Sequence, residues 1–163
     1  MDFARRCFVT TIAALISASA FAQAVVKPFV VYDDELKNVW QNWSWAKVQL
    51  SMPISNAKPI KVQGDAWSAL QLHHEPFSIE GLSKLTFYIS GGAEAGQQLK
   101  VALSSGGKAI DSTYMIAPKA KTWAVVEVPL KELNAAGKMI DGVLLQGGAD
   151  AYKPYYITRI QFE

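Results

Sequence analysis

The sequence predicts an all-β chain folded as a two-layer antiparallel β-sandwich. Three observations predict it. Apolar residues recur at every second position in short runs, which is the side-chain period of a strand and not of a helix. Clusters of turn-forming residues separate the runs: Pro53 to Pro59, Gly64-Asp65, Gly91-Gly92, Gly106-Gly107 and Gly147-Gly148. The alternation is one-sided, apolar against polar, as in a sheet with one face on a core and the other on water.

Taken in order, Pro28–Asp33 is an apolar run closed by the Asp33-Asp34 pair. Ser44–Met52 sets Ser44, Ala46, Val48 and Leu50 on the core side, opposite Trp43, Trp45, Lys47 and Gln49. Ile60–Gln63 lies between Pro59 and Gly64. In Trp67–His73, Leu70 and Leu72 point one way, and Trp67, Gln71 and His73 the other. Lys84–Ser90 buries Leu85, Phe87 and Ile89 against an outer set of Thr86, Tyr88 and Ser90. Gln98–Ser104 buries Leu99, Val101 and Leu103, leaving Gln98, Lys100 and Ala102 outside. Thr113–Ile116 is short. Trp123–Pro129 turns Val126 and Val128 inward and Trp123, Val125 and Glu127 outward. Leu130–Ala136 reads as a helical turn, followed by strands Gly142–Gln146 and Tyr155–Phe162. In the last strand strict alternation sets Tyr156, Ile160 and Phe162 opposite Tyr155, Arg159 and Gln161. This number of strands is accommodated by a jelly-roll arrangement.

Residues 1–22 read as a signal peptide, with cleavage after Ala22 or Ala24, and residues 23–163 as one domain. Arg5 and Arg6 supply the basic start. The apolar run from Cys7 to Phe21, about 15 residues, is too short to span a membrane. Arg5-Arg6-Cys7-Phe8-Val9 also matches a twin-arginine export motif, so the general and the twin-arginine routes both remain open. Either route places the mature chain in a bacterial periplasm or outside the cell. Cys7, the single cysteine, leaves with the signal, so the mature domain is held by its core and not by disulfides. Loss of Arg5, Arg6 and Asp2 from 16 basic and 14 acidic side chains leaves 14 and 13, a net charge of +1. With so little charge, and none in blocks, nucleic acid and membrane surfaces are not expected partners; a monomer is expected.

The chemistry lies in tryptophan. Trp40, Trp43 and Trp45 fall within six residues. Trp43, Trp45 and Trp67 land on the wet faces of their strands beside Lys47, Gln71 and His73, whereas Trp40 reads as core. Indole faces of this kind stack on the C–H face of a pyranose while amides and charged groups take its hydroxyls. Tyr88 and Tyr155 are further candidates. A bulge near Ser44 would instead turn Trp43 and Trp45 inward.

Catalytic signals are weak. His73 and His74 are strand neighbours and point to opposite faces, which spoils them as a metal pair. No nucleophile elbow or phosphate-binding glycine loop occurs. Asp33, Asp34, Asp65, Glu75 and Glu127 are the acids available to a glycosidase, and nothing in the sequence pairs them. Asp33 and Asp34 fit either a structural calcium or, preferably, turn chemistry; no other cofactor is expected. Asn42-Trp43-Ser44 matches a glycosylation sequon that means little behind a bacterial-type signal.

Several segments in order resemble carbohydrate-binding modules of the galactose-binding-like, jelly-roll β-sandwich type. They are VYDDELKNVWQNWSW (31–45), DAWSALQL (65–72), KLTFYISGGAEAGQQLKVAL (84–103), TWAVVEVPL (122–130), DGVLLQGG (141–148) and YYITRIQF (155–162). The resemblance implies a jelly roll, polysaccharide binding without catalysis, and often a structural calcium. Thr158-Arg159 stands where such modules commonly have an acidic residue, which weakens the calcium expectation. The expected function is a secreted, non-catalytic, lectin-like binder of a β-linked polysaccharide. The alternatives are a periplasmic or surface protein-interaction subunit and, less favoured, a small glycoside hydrolase or lyase.

Overall fold

The computed structural model describes residues 27–163. The expected signal peptide and its cleavage positions lie outside them. Thirteen strands and one short 3₁₀ turn follow in order: β1 (Phe29–Asp33), β2 (Glu35–Leu36), β3 (Gln41–Asn42), β4 (Lys47–Gln49), β5 (Ile60–Gly64), β6 (Ala69–Ser78) and β7 (Lys84–Ser90), then β8 (Leu99–Ser105), β9 (Lys108–Ala109), β10 (Met115–Ile116), β11 (Ala124–Pro129), the 3₁₀ turn Leu130–Leu133, β12 (Met139–Gln146) and β13 (Tyr152–Phe162).

The strands form two antiparallel sheets. In the first, the order is β11-β7-β13-β1-β2, with β5 on the other end of β13 and β4 beside β5. In the second it is β10-β8-β12-β6-β3, with β9 on β8. This is the two-layer sandwich expected from the sequence; most strand limits agree to within three residues, β6 runs on to Ser78 where His73 was expected as its end, and the short strands β2, β3 and β9 were not expected. The main departure is the expected strand Ser44–Met52. Its first residues, with Trp43 just before them, run beside β6 in the second sheet, Trp43 N and Trp45 N donating to Gln71 O and Ala69 O. Its later residues, Lys47–Gln49, pair with β5 in the first. The chain therefore changes sheets near Ala46.

The core lies between the layers. Leu70, Leu72, Leu99, Val101, Leu103, Val143 and Leu145 from the second sheet meet Val31, Ile60, Val62, Leu85, Phe87, Ile89, Val128, Ile157, Ile160 and Phe162 from the first. Trp40 closes one end, 4% exposed, packed with Phe29, His74, Phe77 and Phe162. No described helix is long and apolar enough to cross a membrane.

One irregularity redirects side chains. Between Thr158 and Gln161 the pairing of β13 with β7 shifts register, and Arg159 takes a left-handed backbone with φ 49°. A bulge of this kind reverses which side of the sheet the flanking residues face. Tyr155 and Ile157 point inward before it, and Ile160 and Phe162 after it. Strict alternation, which set Tyr155 outside and Tyr156 inside, fails here for that reason.

Candidate functional site

The outer face of the second sheet carries the candidate site, and pairing register determines its composition. Residues directly opposite in an antiparallel pair share a face. Gln41, His73, Gly142 and Ser104 form one row across four strands. Gln71, Leu144 and Ala102 form the next, and Ala69, Gln146, Lys100 and Met115 the third. Short side chains make up much of the middle. A Cβ at Gly142 would stand 2.4 Å from Ser104 Oγ and 3.0 Å from the Leu72 carbonyl, so glycine keeps that part of the floor low.

Tryptophans rise along the β3–β6 edge of this floor. Trp43 falls in line with Gln71 and Trp45 with Ala69, because their backbone amides bond to those carbonyls at 2.9 and 3.2 Å. The Trp43 ring stacks on the His73 imidazole, with centroids 3.5 Å apart and planes 16° apart, and its Nε1 donates to Gln41 Oε1 at 2.9 Å. One indole face is thus covered and the other is free. Trp67 precedes β6 with φ 59°, a left-handed conformation rare for a bulky residue. Its amide donates to Gly148 O at 2.7 Å. Its carbonyl accepts from Trp45 Nε1 and Gln146 Nε2, each at 3.0 Å. Trp43 and Trp45 remain 52% exposed and Trp67 61%, although each is anchored by backbone or side-chain bonds. The indole N–H groups of Trp43 and Trp45 already have protein acceptors, so those two rings offer outside molecules an apolar face and not a donor.

The register shift between Ile140 and Gly142 places Asp141 beside Ser104. Its carboxylate, 2% exposed, accepts from Ser104 Oγ with one oxygen and from the Gly107 amide at 2.6 Å with the other. Sequence reading does not single out Asp141, an acid inside an apolar run; its position before Gly142 is the only hint of a bulge.

Five of the residues expected from the sequence gather on this face: Trp43, Trp45, Trp67, Gln71 and His73. Three do not. Lys47 follows the sheet change and lies on the outer side of the first sheet, opposite Gln63. Tyr88 is also on that side, with the Arg159 guanidinium 5.3 Å above its ring. Tyr155 is wholly buried, turned in by the β13 bulge, and burial holds its hydroxyl well above the ordinary value of 10.0. Gln41, Lys100, Met115 and Gln146 join the platform without having been singled out. Alternation marks Lys100 as outward-facing, but outward of which sheet depends on the pairing.

Asp34 is a loop clasp. Its backbone is left-handed (φ 59°), its Oδ1 accepts from the Lys58 amide at 2.7 Å, and its carbonyl accepts from Ser51 Oγ at 2.7 Å. The buried Tyr32 hydroxyl ties the same loop by donating to Lys58 O at 2.6 Å. Among the described residues no group of three or more His, Cys, Asp or Glu stands together as a metal set.

A two-layer jelly-roll sandwich with an aromatic-edged sheet face defines the structural class. No protein-family model and no curated protein matches the chain. Solved structures do. A mutant of a family 29 carbohydrate-binding module superposes with a TM-score of 0.63 at 12% identity, over 85% of this chain and 92% of that one. The family 11 carbohydrate-binding module of the cellulosomal cellulase Lic26A-Cel5E of Clostridium thermocellum superposes with a TM-score of 0.62 at 14% identity, over 85% and 95%. Another family 29 mutant, solved in complex with mannohexaose, gives 0.60 at 12%, over 83% and 89%. The chain has the jelly-roll fold of carbohydrate-binding modules.

Proposed function

We propose that this protein is an exported, non-catalytic binder of a polysaccharide, which it holds on the outer face of the second sheet. The observation that carries the reading is the trio Trp43, Trp45 and Trp67, anchored through their backbones along one edge of a low floor and each left more than half exposed. The Trp43 and Trp45 indoles are held by bonds from their own ring nitrogens, so they can stack on pyranose rings with little further loss of side-chain freedom. Gln71, His73, Gln146 and Lys100 stand within the same three rows as hydroxyl partners. Two structural neighbours are carbohydrate-binding modules solved in complex with mannohexaose and with cellulohexaose, which supports a chain of hexose units as ligand. The basic, apolar opening of the chain supports export.

The test is retention of the mature protein, Gln23 onward, on a panel of neutral soluble and insoluble polysaccharides, beside the Trp43→Ala and Trp67→Ala variants. Retention on one or two glycans that both variants lose is the expected result. Failure on every glycan would refute the reading and leave the aromatic face to a protein partner.

A further inference from the structure

On the opposite side of the sandwich the outer face of the first sheet carries a second aromatic site. Trp123, 43% exposed, stands between two adjoining depressions of about 400 and 270 Å³ that share it and Ile54. The larger falls in the ~300–1,000 Å³ range of small-ligand sites. Tyr88 and Arg159 line the larger depression and Lys121 the smaller; no carboxylate lines either. The turn Ile54–Ala57, closed by reciprocal amide–carbonyl bonds of 2.9 and 3.1 Å, lines the larger one.

Two groups here lack partners. Arg159 has no ion pair among the described residues. On its other side Arg159 borders a third depression with Asp33, Glu127 and Glu163; Lys84 serves the two glutamates at 2.8 and 3.3 Å, and Asp33 forms no ion pair among the described residues. The guanidinium is instead aligned over the Tyr88 ring. Thr158, 7% exposed and a lining residue of the larger depression, has a hydroxyl with no hydrogen-bond partner. An unsatisfied buried hydroxyl is unfavourable, and native proteins rarely retain one without cause. Three residues around the trough, Ser55, Lys121 and Arg159, have left-handed backbones, at φ 54°, 55° and 49°. Backbone strain of this sort clusters at ligand clamps.

We propose that this trough is a second saccharide site, selective for an acidic sugar, with Trp123 stacking on the ring and Arg159 taking the carboxylate of a uronic acid. The partners follow from chemistry. A flat ring face matches the exposed indole, and a planar carboxylate matches the fork of a free guanidinium. Lys121 adds positive charge. The site does not depend on the second-sheet platform, so one molecule would hold a neutral glycan on one side and an acidic one on the other.

The experiment titrates mature protein by calorimetry with a defined oligogalacturonate, with its fully methyl-esterified form, and with a neutral oligosaccharide. Wild type should bind the free acid, and the ester at least about tenfold more weakly. Trp123→Ala and Arg159→Gln should each weaken acid binding by about tenfold or more while leaving the thermal transition and neutral-glycan binding in place. Trp67→Ala should leave acid binding unchanged. No binding of oligogalacturonate by wild type, equal affinity for acid and ester, or loss of acid binding in Trp67→Ala but not Trp123→Ala would each overturn the proposal. Because Trp67→Ala reports on the platform and Trp123→Ala on the trough, failure of either site is read separately.

Discussion

Trp67 allows a test in which stability and binding separate. In a strand or helix, glycine is less stable than alanine by roughly 0.5–1 kcal/mol, because it has more freedom to lose on folding. At φ 59° the order should reverse. Alanine keeps its Cβ against the following carbonyl, a cost of about 1–2 kcal/mol in the left-handed region that glycine escapes. Combining these, Trp67→Gly should be more stable than Trp67→Ala by about 0.5–1 kcal/mol. Unfolding entropy near 2.1 cal/mol/K per residue over 137 described residues gives about 0.29 kcal/mol/K, so the gap is about 2–3 °C in Tm. Both variants lose the ring. With 61% of it exposed, about 100 Å² at most is covered, an upper bound near 2.5 kcal/mol for either change. The backbone bonds of Trp67 to Gly148, Trp45 and Gln146 do not involve the indole and survive. Trp40→Ala, at a 4% exposed ring, should cost about 3–5 kcal/mol by comparison. Calorimetric melting gives the stabilities. Isothermal titration with whichever soluble neutral glycan wild type retains gives the affinities, where both Trp67 variants should lose about 2 kcal/mol, or about 30-fold. A glycine variant melting below the alanine variant, or either one binding like wild type, would refute the reasoning.

Other consequences are simpler to check. His73→Ala should weaken glycan binding less than Trp43→Ala, since His73 backs the ring that a sugar would touch; parallel titrations decide this. The buried Tyr155 hydroxyl lacks a partner, so Tyr155→Phe should raise stability by about 1 kcal/mol in denaturant melts. Burial raises that phenol above its ordinary 10.0, so its protonated form favours the fold fully below pH ~10 and less as the unfolded chain ionises above it. The phenylalanine variant should therefore lose less stability between pH 9 and 11, and equal slopes would count against this. Asp141→Ala orphans the Gly107 amide and Ser104 hydroxyl and should cost about 2–3 kcal/mol, read from chemical denaturation. EDTA should change neither Tm nor retention, because Asp34 Oδ1 holds the Lys58 amide and no group of three or more His, Cys, Asp or Glu gathers around it among the described residues.

Much of the fold was legible because its signals are local. Lys84–Ser90 reads directly as β7, since one apolar face and flanking glycine and serine suffice to specify a half-buried strand. The inward set Leu70, Leu72, Leu85, Phe87, Ile89, Leu99, Val101 and Leu103 also follows from period two alone. The exposure of Trp43, Trp45, Trp67 and Trp123 agrees with the same alternation, although all four lie just outside the regular strands and Trp67 on a left-handed backbone. Period two tells inside from outside, and a sandwich has two outsides. Which one a residue joins depends on strand pairing, a long-range choice that no short window contains. Lys47 and Trp45 are two residues apart and both face water, yet the chain crosses between sheets at Ala46 and separates them. Tyr155 fails differently: the bulge at Arg159 inserts one residue and reverses the sides of everything before it. The sequence by itself therefore determined the sandwich and the supply of exposed indoles. Only the tertiary structure decided that three of them share one face and Trp123 the other, because cross-strand register is set by packing between distant segments.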